Sequence, residues 1–164
     1  MDLTKFTREE LILTALKSEV EAKKIYSILA EMVKNAFLKE RLNFLAAEEE
    51  KHRQFFEELY KKEFPGKEIS LPEKTPVPLP EMIITKETVP LTEVLEMAMR
   101  AEMAAYEFYN SLADLYKEEA GTENMLRYIA SMEMGHYRLL EIERQQAQRF
   151  EDFDIAWSMI HIGP

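Results

Sequence analysis

The chain has 164 residues, of which 46% are apolar and 32% charged, a composition suited to one soluble domain. Its net charge of −10 argues against nucleic acid and anionic membranes as partners. The absence of cysteine excludes disulfides, thiolate metal sites, iron–sulfur clusters and thiol nucleophiles within the chain. The opening segment MDLTKFTREE lacks the apolar stretch of a signal peptide, and no run approaches the roughly 18 apolar residues of a membrane span. A cytoplasmic protein is the expectation.

In chain order, a first helix is predicted over about 7–34. Thr7 and Glu10 have the spacing of a capping box, and Ile12, Leu16, Tyr26, Ala30 and Val33 recur at helical intervals. A second helix is predicted over about 36–64, stopped by Pro65-Gly66. The segment 65–90 then holds six of the seven prolines and no periodicity, which makes it an extended connector too long for a tight helical hairpin. A third helix, about 91–119, carries Leu95, Met99, Tyr106, Tyr109 and Leu112, and Gly121 separates it from a fourth over about 122–149. The remainder, 151–164, with the single tryptophan Trp157 and with His161, reads as a short helix or tail packing on the bundle. A helix of about 28 residues is about 42 Å long. An extended connector rising about 3.1 Å per residue can retrace that length and return the chain to its starting end. The fold class is therefore all-α: a four-helix bundle with one long Pro-rich crossover, its second and third helices parallel.

The two halves repeat. SEVEAKKIYSILA at 18–30 aligns with AEMAAYEFYNSLA at 101–113, placing Glu19 on Glu102, Tyr26 on Tyr109 and Ala30 on Ala113. LAAEEEKH at 45–52 aligns with IASMEMGH at 129–136, placing Glu49 on Glu133 and His52 on His136. Of the three consecutive glutamates 48–50, only Glu49 shares a helix face with Leu42, Leu45, His52 and Phe56. Glu48 and Glu50 are expected to either side, in solvent. By the same test Glu19 falls on the Ile12–Leu16–Tyr26 stripe, Glu102 on Leu95–Met99–Tyr109, and Glu133 on Leu126–Ile129–Ala130–His136–Leu140.

Each glutamate taken alone has an ordinary reading: Glu19 with Lys23, and Glu49 with Arg53, have the i,i+4 spacing of surface ion pairs. The conjunction does not. Four carboxylates pointing into one core would repel one another and cost several kcal/mol each if unpaired, and no lysine or arginine shares those stripes in number. Two divalent cations would balance four carboxylates, and two neutral imidazoles would complete the donor set. Residues at i and i+3 lie one above the other on a helix, so Glu49 with His52, and Glu133 with His136, can serve one metal or let the carboxylate bridge two. Mixed oxygen and nitrogen ligation suits iron or manganese, and also zinc. Tyr26 and Tyr109, seven residues after Glu19 and Glu102, lean back toward the glutamate layer. Core packing and a role beside the metals are both open for them.

These residues resemble the ligand set of ferritin-like di-iron carboxylate proteins, two helices giving Glu and two giving Glu-x-x-His. The chain is most similar to the rubrerythrins. The resemblance covers residues 1 to about 145 in topology, and the six ligands and paired tyrosines in detail. It implies terminal ligands at Glu19 and Glu102, bridging ligands at Glu49 and Glu133, one histidine ligand per metal at His52 and His136, and Tyr26 and Tyr109 just outside the ligands. Two departures stand out. Rubrerythrins commonly append a four-cysteine rubredoxin domain that delivers electrons, and this chain has no cysteine. They also usually carry an extra carboxylate one turn from the third-helix ligand, where Met99 and Ala105 stand here. The expected cofactor is a pair of iron ions, with manganese or zinc as alternatives. The expected activity is an oxidoreductase that reduces hydrogen peroxide or oxygen at the carboxylate-bridged pair. The alternatives are a ferroxidase that handles iron, and a helical scaffold with a purely structural metal. The expected partners are an external electron donor, such as a separate rubredoxin-like protein, and a second copy in a homodimer, with or without exchanged halves.

Overall fold

The structure is a computed structural model that describes residues 1–80 and 90–160, with side chains up to residue 149. Four helices make up the bundle: α1 Arg8–Met32, α2 Ala36–Glu63, α3 Leu91–Ala113 and α4 Ala120–Ile160. Thr7 caps α1 as its sequence suggests, its side chain accepting from the Glu10 amide while Glu10 accepts from the Thr7 amide. Asn35 caps α2 by accepting from the amides of Phe37 and Leu38. Beyond Phe64, Gly66 takes a φ of 81°, a left-handed conformation that suits glycine and turns the chain out of the helix.

Side-chain contacts establish the topology. Lys23 pairs with Glu50 and Tyr60 donates to Glu9, so α1 and α2 are antiparallel. Arg127 pairs with Asp114 and Arg144 lies near Glu96, so α3 and α4 are antiparallel. Tyr116 donates to Glu63, and Arg8 pairs with Glu119. The start of α1 and the ends of α2 and α3 therefore share one end of the bundle, and α2 runs parallel to α3. The two hairpins face each other with α1 against α3 and α2 against α4. The described part of the crossover, 65–80, returns along α1. Lys17 donates to the carbonyls of Pro72 and Glu73, and Val77 is buried among the residues below the site.

Three expectations change. The break between α3 and α4 precedes Gly121: α3 ends at Ala113, a 3-10 turn spans Asp114–Tyr116, and Gly121 sits inside the first turn of α4. The fourth helix does not stop near 149 to leave a separate tail. Its backbone is helical to Ile160, and no glycine or proline lies between Gly135 and Gly163 to end it. Residues 161–164, with His161, and residues 81–89 lie outside the described residues, as do the side chains of 150–160, including Trp157. Finally, Glu48 is not in solvent: it is 8% exposed, and the Lys51 ammonium lies 2.5 Å from its carboxylate. Glu50 is half-buried and held by Lys23 and Arg53.

The core falls into two apolar regions. One gathers Leu11, Ile12, Phe56, Leu112 and Leu126, the other Leu29, Leu38, Leu42, Leu95 and Leu140. A layer of buried charge separates them.

Candidate metal centre

Glu19 of α1, Glu49 and His52 of α2, Glu102 of α3, and Glu133 and His136 of α4 form that layer, each at most 4% exposed. The surface pairs open to these glutamates taken singly are not made. Lys23 reaches Glu50, and Arg53 reaches Glu50 and Glu57. All six residues that the repeat singled out come together, and they do so as two overlapping groups. Glu19, Glu49, His52 and Glu133 offer donor atoms within 4.8 Å of one another, and so do Glu49, Glu102, Glu133 and His136.

The overlap is divided atom by atom. Nδ1 of His52 lies 3.1 Å from Glu49 Oε2, 2.9 Å from Glu133 Oε1 and 3.6 Å from Glu19 Oε2. Nδ1 of His136 lies 3.1 Å from Glu49 Oε1, 3.1 Å from Glu133 Oε2 and 3.7 Å from Glu102 Oε2. Glu49 and Glu133 thus each turn one oxygen to either group, while Glu19 and Glu102 each serve one. The imidazole rings stack with centroids 5.6 Å apart and close the side between α2 and α4.

The tyrosines sit where the helical lean placed them, with a cross-over that periodicity does not reveal. Tyr26 of α1 donates its hydroxyl to Glu102 of α3, and Tyr109 of α3 donates to Glu19 of α1. Each hairpin thereby orients the carboxylate of the other. Burial, then the adjacent carboxylates, push both phenols well above their ordinary pKa, so they remain protonated donors. Replacing either tyrosine with Phe is expected to destabilise the loaded protein by about 1.5–3 kcal/mol, the range for a buried hydrogen bond to a charged group. Urea unfolding of Tyr26→Phe and Tyr109→Phe measures this. Losses under about 0.5 kcal/mol would mean that the hydroxyls only pack.

Without cations the charges find another balance. Burial raises the pKa of Glu19 and of Glu102, each near like charges. Burial would lower that of His52, but the Glu133, Glu19 and Glu49 carboxylates around it win and push it up to about 12. His136 is raised in the same way by Glu102, Glu133 and Glu49. Burial also opposes ionisation of Glu133, and its two histidine neighbours overcome that and hold it below the carboxylate range. Imidazolium thus stands in for positive charge that the acidic layer requires.

The donor set fits metal. Glu49 Oε1 and Glu133 Oε1 are buried without a hydrogen bond, although imidazole nitrogens lie 3.1 and 2.9 Å away. One such oxygen faces each of the two groups, and a buried lone pair with no aligned N–H suits a cation better than a proton. Six donors of carboxylate and imidazole type suit first-row metals such as iron or manganese.

Comparison with known proteins agrees with this geometry. No curated protein matches the chain. A hypothetical protein from Pyrococcus furiosus, of known structure, superposes with a TM-score of 0.82 at 35% identity, covering 91% of this chain and 95% of that one. The family model Rubrerythrin matches residues 10–143, a span that contains all six residues of the charged layer and both tyrosines. The chain belongs to the rubrerythrin family.

Proposed function

We propose that the protein is a dinuclear iron oxidoreductase that reduces hydrogen peroxide, and oxygen more slowly. The observation that carries this reading is the division of Glu49 and Glu133, each with one oxygen turned to either histidine. Glu19 and His52 would hold one ion, Glu102 and His136 the other, and Glu49 and Glu133 would bridge them. Such a pair supplies two electrons in one encounter, the number that peroxide reduction needs.

The chain's own residues set the conditions. The two imidazoles, one at each ion position, make the halves nearly equivalent. Tyr26 and Tyr109 fix the terminal carboxylates and hold protons at the edge of the layer. The apolar regions bound the layer above and below. Ala105 and Met99 leave no carboxylate one turn from Glu102, so the centre is expected to keep one ligand set through its redox cycle. Electrons would come from a separate one-electron carrier protein.

Rapid mixing of anaerobically reduced protein with hydrogen peroxide and with oxygen, at equal concentration, tests the assignment. The visible absorbance of oxidised iron should rise faster with peroxide, and His52→Ala or His136→Ala should slow it. If oxygen is faster, and added ferrous iron is oxidised over many turnovers, iron oxidation is the activity instead. Metal that is silent toward both oxidants would leave a structural role.

A further inference from the structure

Stacked imidazoles lie at the side of the charged layer between α2 and α4; among the described residues, the side between α1 and α3 holds a cleft. Its volume is about 460 Å³, and Glu19, Glu49, Glu102 and Glu133 are among its lining residues. Two small residues of its lining are related by the repeat. Ala22 and Ala105 occupy equivalent positions in the repeat, each three residues after a terminal glutamate, and both line the cleft. A longer side chain at either position would take up part of the cleft. Ile25, Ile28 and Pro80 extend an apolar wall from there. Apart from the four glutamates of the layer, the charges that border it cancel, Lys17 and Lys24 against Glu21 and Glu73. Lys17 also ties the crossover to α1 through the Pro72 and Glu73 carbonyls.

Hydrogen peroxide has no use for such a wall. Clefts of about 300–1,000 Å³ hold organic ligands, and the four glutamates are only part of the lining of this one. A neutral molecule with an apolar body matches the alanine, isoleucine and proline wall and the balanced charges around it. Its polar end would point inward to the charged layer.

We propose that the α1/α3 cleft is a subsite for the organic group of an alkyl or aryl hydroperoxide, whose O–O end reaches the glutamate–histidine centre. The proposal rests on the peroxide-reducing reading and narrows its substrate class. The reaction is ROOH + 2 H⁺ + 2 e⁻ → ROH + H₂O. The O–O bond breaks, the distal oxygen leaves as water with one proton taken from solvent, and the organic oxygen takes the second. The electrons come one from each of two ferrous ions, which a one-electron carrier protein then reduces again.

Zinc-loaded protein, which is redox-silent, allows binding to be read without turnover. The probe is 2-phenylpropan-2-ol, the alcohol that cumene hydroperoxide reduction would yield, titrated while amide NMR shifts are followed. Wild type is expected to bind it in the millimolar range or tighter, with shifts along α1 around Ala22 and Ile25 and along α3 around Ala105. Ala105→Phe should weaken binding by about tenfold or more, or 1.4 kcal/mol. Because Phe could disturb packing, zinc content and melting temperature are measured alongside. Ile28→Gln, at a half-exposed position of the outer wall, serves as a milder second variant expected to weaken binding about threefold. Absence of probe binding to the zinc protein, with hydrogen peroxide still reduced by the iron protein, would overturn the subsite and leave the proposed activity standing. Binding that is unchanged in both variants would also overturn it. Probe binding without reduction of any peroxide would remove the activity on which the proposal rests, and with it the assignment to a hydroperoxide.

Discussion

Protein loaded anaerobically with ferrous iron is expected to hold two ions per chain, and Glu49→Ala or Glu133→Ala to lose both together. The reason lies in the way each carboxylate is shared. Glu49 turns Oε2 to His52 and Oε1 to His136, and Glu133 turns Oε1 to His52 and Oε2 to His136. Removing either residue withdraws a donor from both positions at once. It also removes one of the negative charges that would hold two cations near each other. Glu19 and Glu102 differ, because each approaches one histidine only. Glu19→Ala should weaken the ion beside His52, and Glu102→Ala the ion beside His136, so loss should be stepwise in those variants. Glu48→Ala is the control: its carboxylate is buried too, but it faces Lys51 and belongs to neither group. That variant should retain both ions. Elemental analysis after desalting decides the matter. At most one ion per chain in the wild type would sink the dinuclear reading, and equal retention in Glu49→Ala and Glu48→Ala would sink the bridging role.

The six residues of the charged layer were legible in the sequence because two periodicities coincide there. Helical spacing put Glu19, Glu49, Glu102 and Glu133 on apolar faces, and the repeat tied each to a counterpart. Neither signal alone separates Glu49 from an ordinary surface glutamate. The architecture was legible for a related reason: six prolines gathered in one segment left no other place for a crossover. What escaped was decided between helices rather than along them. Periodicity gives the direction a side chain leaves its own helix, so Tyr26 and Tyr109 were placed at the right level. It does not say that each tyrosine reaches the glutamate of the opposite hairpin. It also put Glu48 in solvent, whereas the residue is buried and paired with Lys51. The end of α4 lies beyond the expected 149 because no glycine or proline stands there to stop the helix, and its backbone runs on to Ile160. The cleft was foreshadowed only by Ala105. Its counterpart Ala22 carries no signal until α1 and α3 face each other.

The loaded protein should melt on the order of 10 °C above the metal-free protein, and this gap should shrink in a Glu19→Gln, Glu102→Gln double variant. Metal that binds only the folded state stabilises it by about 4 kcal/mol when free metal is 1,000-fold above the dissociation constant. For a chain of this size each kcal/mol is worth about 2–4 °C. The metal-free state explains the rest. Four carboxylates, each at most 3% exposed, share one layer with two imidazoles as the positive partners within it. Burial opposes the charged forms of Glu19 and Glu102, and neighbouring carboxylates oppose them further. Glutamine at both positions removes that opposition while keeping a carbonyl oxygen to accept from Tyr109 and Tyr26. The metal-free variant should therefore melt higher than metal-free wild type. The loaded variant should melt lower than loaded wild type, because an amide is a poorer ligand and carries no charge to offset the cations. Both shifts narrow the gap from opposite sides, which a general loss of packing would not do. Calorimetry of the four samples, each with its metal content determined, makes the comparison. Equal melting temperatures for metal-free and loaded wild type would show that metal does not bind the folded layer, and the assignment of these six residues as ligands would fall with it.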